Sequence, residues 1–173
     1  MHGKHILFLM ETAYRLFLLA VALALLLTLL PLPTWLAVMK PMALALVLTY
    51  FALEAPEVAG LGHAFLFGLC ADILYGGLLG EHALRMVILV YLTLRFRHRL
   101  RFFPVWQQAG SVFGLLLNDR VLDLWIRLMS GSTWPPLLFW LSPLVGMAVW
   151  PWVFLLLDGL RMRRRQAQRE RTG

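Results

Sequence analysis

Acidic side chains and cysteine are both scarce in this chain of 173 residues. It contains nine Asp and Glu residues against sixteen Lys and Arg, which gives a formal net charge of +7. Cys70 is the one cysteine, so the sequence excludes an intrachain disulfide and a thiolate metal site. The HExxH, Gly-x-Ser-x-Gly and phosphate-loop motifs are also missing. We therefore predict a protein that is not an enzyme and that holds no cofactor and no metal.

Apolar residues, by contrast, make up 61% of the chain. A soluble domain of this length would leave many of them in exposed patches, whereas a lipid bilayer is a natural solvent for such a surface. Breaks rich in proline, glycine and charge separate six apolar segments: residues 6–30, 41–53, 58–74, 83–96, 105–128 and 137–157. We predict an all-α integral membrane protein. It is a compact bundle of about six transmembrane helices in one domain, residues 1–160, followed by a basic tail, residues 161–173.

The basic residues gather in two clusters, and these predict the orientation of the chain. The first is Arg95, Arg97, Arg99 and Arg101, and the second is Arg161, Arg163, Arg164, Arg165, Arg169 and Arg171. Because Lys and Arg are enriched in cytoplasmic loops, we expect both clusters and both termini on the cytoplasmic side of an inner membrane. The first cluster and residues 163–165 then form a cytoplasmic basic surface for anionic lipid or a protein partner. Nucleic acid is not expected, since no soluble platform accompanies the tail.

Two of the segments are short for a membrane span. Residues 41–53 and 83–96 offer 13 and 14 apolar positions, whereas about 20 are needed to cross the hydrocarbon layer. Short helices of this kind require shelter from neighbours. We expect the first, fifth and sixth helices to shield the middle ones from lipid.

Glycines surround a lone aspartate between the third and fourth segments. Gly68 lies four residues before Asp72, so one helix face has a notch where another backbone can approach. A carboxylate near the membrane boundary requires donors, and the turn that follows can expose free amides. The residues of this Gly–Asp corner are Gly68, Asp72, Gly76, Gly77, Gly80 and His82. Two interpretations stay open: a docking or ligand surface, or a helix cap with glycine-mediated packing.

The segment of residues 105–128 carries a second polar constellation. Asp119, Asp123 and Arg127 follow one another at intervals of four on one helical face, and Arg120 reaches Asp123 three residues on. Two acids and two bases carry no net charge, so we predict a partly buried network near the periplasmic end. Such a polar mouth could receive a partner helix or a small solute. The alternative is a helix end that emerges into water with solvated ion pairs.

The same segment has a notch of small residues in its first half. Gly110 and Gly114 lie one turn apart, with Ser111 between them. Small residues at this spacing allow two membrane helices to approach closely. We consider the notch a candidate helix contact, although the pattern is common.

A longer spaced pattern runs through the Gly–Asp corner: Phe65-x-x-Gly68-Leu69-x-x-Asp72-x-x-x-Gly76-x-x-x-Gly80-x-His82-Ala83. Lys40-Pro41, Tyr91-Leu92 and Phe103-Pro104-x-Trp106-Gln107-Gln108 accompany it. In these positions the chain resembles the MreD family of rod shape-determining proteins, over most of residues 35–127. In the first and sixth segments only hydrophobicity and segment order agree.

The resemblance implies an inner-membrane component of the bacterial elongation machinery. It also implies the partners found there: the bitopic protein MreC, the MreB filament, the polymerase RodA and a transpeptidase. Members of the family are similar in helix arrangement to substrate-capture subunits of vitamin transporters, a likeness of fold alone. We therefore expect a scaffold that binds MreC and helps couple MreB to peptidoglycan synthesis and cell shape. The alternative is a solute-binding membrane subunit of a transporter.

Overall fold

The computed structural model describes residues 2–31, 33, 40–76 and 78–172, with the backbone alone for residues 2–10, 28, 40, 41, 164, 165 and 167–172. Within these ranges the chain forms six α-helices and no strand. They are α1 (His2–Leu29), α2 (Lys40–Glu54), α3 (Leu61–Tyr75), α4 (Glu81–Leu100), α5 (Val105–Met129) and α6 (Leu138–Thr172). The prediction of an all-α fold is confirmed for the described residues. The helix bounds follow the six predicted segments, except that α6 continues as a helix into the basic tail.

Glycine and proline separate the helices for identifiable reasons. Gly76 has a φ of +66° and ends α3, and Gly80 has a φ of +97° directly before α4. Residues other than glycine rarely adopt such backbone angles. The two glycines therefore end one helix and change the direction of the chain before the next. Pro104 directly precedes α5 in an extended conformation, and proline is favoured at helix starts because its missing N–H is not needed there.

One end of the bundle collects the arginine clusters, and we call it the arginine end. There the guanidinium group of Arg97 in α4 donates to the carbonyl of Leu53 in α2 at 2.8 Å. Arg161 in α6 donates to the carboxylate of Glu54 at 3.1 Å. The ring of Phe17 in α1 packs against Phe51 nearby, with centroids 5.0 Å apart. The end of α2, the end of α4 and the later part of α6 therefore meet at one end.

At the opposite end, which we call the network end, polar contacts connect α3, α4, α5 and α6. Asp72 near the end of α3 contacts the start of α4. Arg85 in α4 contacts Asp119 in α5, and Arg120 in α5 contacts Ser142 near the start of α6. Successive helices therefore run in alternating directions between the two ends.

The short helix α2 forms the centre of the bundle. Leu48, Tyr50 and Phe51 are at most 1% exposed, and α2 packs against α1, α4 and α6. Its 15 residues span about 22 Å at about 1.5 Å per residue, less than the roughly 30 Å of a hydrocarbon core. The expected shelter is confirmed for this helix.

The expectation that α5 shelters α2 is wrong. α4 lies beside α2 and covers it, whereas α5 packs mainly on α4 and α6. Tyr91 in α4 is 54% exposed, and Leu66 in the neighbouring helix α3 is 58% exposed. α3 and α4 pack extensively against each other, and each also has an exposed face.

Among the described residues, one helical stretch is long and apolar enough by composition to cross a membrane. It is Leu138–Arg163 in α6. Met42–Glu54 and Leu61–Tyr75 are apolar but shorter.

Candidate functional site

Asp72 is a buried cap that α3 provides for the start of α4. The residue is 1% exposed, and its carboxylate accepts hydrogen bonds from the backbone N–H groups of His82 at 2.8 Å, Gly80 at 2.9 Å and Ala83 at 3.3 Å. The Nδ1 atom of His82 also lies 2.8 Å from this carboxylate. The first N–H groups of a helix have no partner within the helix and carry partial positive charge. A carboxylate at this position satisfies both the hydrogen bonds and the charge.

Gly68 allows the backbone of α4 to lie directly against α3. A Cβ atom at this position would lie 2.5 Å from the Cα atom and 2.7 Å from the nitrogen of Ala83, and 2.8 Å from the carbonyl oxygen of His82. Real Cβ atoms do not approach backbone this closely. The predicted notch is therefore confirmed, and the backbone that fills it belongs to the same chain.

The expectation that glycine amides of the turn serve as donors for the Asp72 carboxylate is confirmed for Gly80 and wrong for Gly76. The N–H of Gly76 donates to the carbonyl of Asp72 at 3.0 Å, and the N–H of Gly80 donates to the carboxylate of Asp72. Gly77 lies outside the described residues. The ring of Tyr75 stacks on His82, with centroids 4.8 Å apart, and partly covers the corner. These contacts agree with the helix-cap interpretation, and binding of a partner at the corner stays a prediction.

Next to the corner, Arg85 connects α4 to α5. Its Nε atom donates to Oδ1 of Asp119 at 2.9 Å, and its Nη2 atom donates to Oδ2 at 2.5 Å. Its Nη1 atom also lies 3.5 Å from a carboxylate oxygen of Asp123 and 3.6 Å from one of Glu81. A two-pronged contact between guanidinium and carboxylate is among the strongest hydrogen-bonded pairs in proteins.

Asp123 is the hub of the remaining contacts, which reach α6. It accepts hydrogen bonds from Arg120 at 3.0 Å and from Arg127 at 2.9 Å. Arg120 also donates to the hydroxyl of Ser142 at 2.6 Å. The ring of Phe139 lies beneath both guanidinium groups, with its centroid 4.9 Å from the Cζ atom of Arg120 and 5.6 Å from that of Arg127. We call the side chains that these contacts join the polar network: Glu81, Arg85, Asp119, Arg120, Asp123, Arg127 and Ser142.

The polar network is buried and balanced in charge. Its charged members are three acidic and three basic side chains: Glu81, Arg85, Asp119, Arg120, Asp123 and Arg127. Asp123 is 1% exposed and Arg120 is 7% exposed, so the alternative of a solvated helix end does not describe them. It describes the rim alone, where the side chain of Arg127 is 47% exposed. Burial of such charges requires close partners. Five members have a partner at hydrogen-bond distance, and Glu81 lies 3.6 Å from Arg85.

Sequence reasoning grouped four members of the polar network and missed the others. Arg85 and Glu81 lie one turn apart on α4, whereas the shorter contact of Arg85 is with Asp119 on a different helix. Ser142 and Phe139 were also missed. Both lie on α6, and residue spacing within α5 cannot indicate which residues of another helix will contact it.

At the arginine end, part of the predicted basic surface caps α2. Arg97 bonds the carbonyl of Leu53, and Arg101 lies 3.8 Å from the carboxylate of Glu54. Arg161 also donates to the carbonyl of Glu54 at 2.9 Å. Cations at the last carbonyls of a helix complement its negative end. These arginines therefore bind groups at the end of α2 in the same chain.

The other arginines of the predicted basic surface are either exposed or have side chains that the structure does not describe. Arg95, Arg99 and Arg163 are exposed. The side chains of Arg164 and Arg165 lie outside the described residues. In the part of the chain that is described, no three His, Cys, Asp or Glu residues are grouped as metal ligands.

Comparison with known proteins agrees with the resemblance seen in the sequence. The family model described as rod shape-determining protein MreD matches residues 10–160. The curated rod shape-determining protein MreD of Haemophilus influenzae (strain ATCC 51907 / DSM 11121 / KW20 / Rd) is 33% identical over 144 residues. These residues cover 82% of this chain and 87% of the relative. No solved structure matches the chain.

Proposed function

This chain belongs to the MreD family of rod shape-determining proteins, and on that premise we propose that it is a non-enzymatic, multi-pass scaffold of the elongation complex in the bacterial inner membrane. It binds MreC and helps couple MreB filaments to peptidoglycan synthesis, with RodA and a transpeptidase in the same complex. The family match over residues 10–160 is the observation that carries this proposal.

The placement of charge in α5 supports a membrane crossing by this helix despite its four charged residues. Trp106 and Trp125 are 71% and 66% exposed and lie 19 positions apart, about 28 Å along a helix. This length is close to the roughly 30 Å of a hydrocarbon core, whose two boundaries are enriched in Trp. Asp119 and Asp123 are buried, so lipid would meet the apolar side of α5.

The position of the arginines supports the proposed orientation. The Arg95–Arg101 cluster and the start of the tail meet at one end of the bundle, around Glu54. Because positive charge is retained on the cytoplasmic side, the arginine end faces the cytoplasm. The network end then faces the periplasm.

The glycine notch of α5 is the surface that we assign to the transmembrane helix of MreC. Gly110 and Gly114 are exposed, and a Cβ atom at either position would meet no atom within 4 Å. They lie on the same side of α5 as Trp106, one turn apart. A second helix can therefore approach the backbone closely, which is the main source of helix association in lipid. The notch at Gly68, by contrast, is already filled by α4.

Copurification of MreC with paired glycine variants tests this proposal. Gly114→Leu fills the notch, and we expect it to reduce the recovered MreC about tenfold, equivalent to about 1.4 kcal/mol. Gly159→Leu is the matched control, because Gly159 is also exposed, helical and without neighbours within 4 Å. Equal recovery of MreC with both variants would contradict the assigned surface. Failure of the wild-type protein to recover MreC would contradict the scaffold function.

The alternative of a solute-binding transporter subunit remains a prediction, and the same copurification tests it. Such a subunit would recover an ATPase module instead of MreC. The network end supports the scaffold, because its buried charged groups already pair with one another.

A further inference from the structure

An apolar groove of about 400 Å³ lies between α1 and α6, with α2 as its floor. Leu19 and Leu23 of α1 form one wall, and Val149 and Val153 of α6 form the other. Met42 and Leu46 of α2 lie at the bottom. The groove therefore leads from the outer surface of the bundle to its central helix.

The shape of the groove fits a hydrocarbon chain better than a helix. Its lining extends in α6 from Val145 to Leu160, which is about 22 Å along the helix axis. A volume of about 400 Å³ over this length corresponds to a mean cross-section of about 18 Å². A helix with its side chains is about 10–12 Å across, so the groove is too narrow to admit a partner helix. An extended acyl chain is narrow enough.

Two cations lie at the arginine end of the groove. Arg15 precedes the lining residue Leu19 by four positions, and Arg163 follows the lining residue Leu160 by three. Residues at these spacings share a helix face. Both side chains are exposed, and Glu11, bonded to Arg15 at 2.7 Å, supplies one opposing carboxylate. The charge at this end of the groove is complementary to a phosphate group.

From the groove and these two arginines together, we propose that the protein holds one anionic phospholipid of the cytoplasmic leaflet at this site. One acyl chain lies in the groove against α2, and the phosphate lies between Arg15 and Arg163. Burial of each methylene of the chain favours binding. The bound chain joins α1 to α6 by packing. The inference rests on the membrane placement proposed above and is independent of MreC binding.

Retention of lipid by groove-filling variants tests the acyl-chain site. The protein is extracted in mild detergent from vesicles with equal parts of dioleoylphosphatidylglycerol and dioleoylphosphatidylcholine, and bound lipid is counted by native mass spectrometry. Ala20 lines the groove, whereas Ala22 on the same helix is exposed outside it. We expect Ala20→Phe to reduce retained lipid about tenfold. Ala22→Phe should retain as much as the wild type.

The head-group contact is tested in the same mixture. The wild type should retain phosphatidylglycerol in preference to phosphatidylcholine. The double variant Arg15→Gln/Arg163→Gln should lose this preference, because the cations that favour the anionic head group are gone. Arg95→Gln is the control, since Arg95 is exposed on α4 and does not border the groove.

Three results would overturn the proposal. In the first, Ala20→Phe and Ala22→Phe retain equal amounts of lipid. In the second, the wild type retains phosphatidylglycerol and phosphatidylcholine equally. In the third, Ala20→Phe still retains lipid but no longer recovers MreC. The last would make the groove a docking surface for a helix. If Ala20→Phe does not fold, Val149→Phe in the groove and Ala148→Phe outside it give the same comparison on α6.

Discussion

The position of Arg85 illustrates how a buried charge in this protein depends on its partners. The guanidinium group is 2% exposed and is held by Asp119 with two hydrogen bonds. Removal of a charge from water is costly, and the attraction between the two groups offsets that cost only while both are present. Loss of one partner is therefore more damaging than loss of both.

Asp119→Ala should destabilise the protein by about 3 kcal/mol, because it leaves Arg85 with only the longer contacts to Asp123 and Glu81. The double variant Arg85→Met/Asp119→Leu should recover most of this stability, since the bonded pair is removed as a whole and the remaining acids and bases stay equal in number. Glu11→Gln, which breaks an exposed ion pair, is the control and should cost about 0–1 kcal/mol. Unfolding in detergent measures all three. A loss with Asp119→Ala no larger than that with Glu11→Gln would contradict the buried-pair argument.

At the scale of elements, the helices are fastened to one another at their ends. Asp72 in α3 satisfies the first amides of α4, and Arg97 and Arg161 satisfy the last carbonyls of α2. Unpaired backbone groups are especially unfavourable where water is excluded. A charged residue on one helix thus stabilises the terminus of another and fixes where the two helices begin or end relative to each other.

Gly68→Ala should destabilise the α3–α4 pair by about 1–3 kcal/mol, because the added methyl group meets the backbone of α4 and not a flexible side chain. Gly62→Ala on the same helix is the control. No atom lies within 4 Å of its added Cβ, and Ala is a better helix former than Gly by up to about 1 kcal/mol. We expect unfolding measurements to give opposite signs for the two variants. The same sign for both would contradict the close approach of the two helices.

For the whole molecule, the alternating direction of the helices brings both arginine clusters to one end. The end of α2 is contacted by Arg97 and Arg101, in and directly after α4, and by Arg161 of α6. The turn between α5 and α6 lies at the opposite end. In a bilayer the two ends would face different compartments.

Labelling of single cysteines with a membrane-impermeant maleimide tests this architecture in a Cys70→Ser background. Arg99→Cys and Arg163→Cys should both react only after the membrane is opened, because both belong to the arginine end. Ser132→Cys, which is exposed between α5 and α6, should react in intact spheroplasts. Reaction of positions 99 and 163 from opposite sides would contradict both the bundle and its proposed orientation.

Much of the fold follows from properties that are local in the sequence. The hydrophobic runs and their glycine and proline breaks predicted six helices with bounds near those of α1–α6. Spacing along one helix was enough to join Asp123 with Arg120 and Arg127, since residues three or four apart share a face. The notch at Gly68 was predicted in the same way.

The remaining features depend on which helices become neighbours. The sequence could not pair Arg85 with Asp119, 34 positions away. It also placed α5, and not α4, among the helices that shelter α2. Hydrophobicity and spacing within a helix are determined by the local chain, and the sequence alone determined those. Contacts between helices depend on how the close packing of all six is satisfied at once, and only the tertiary structure decided them.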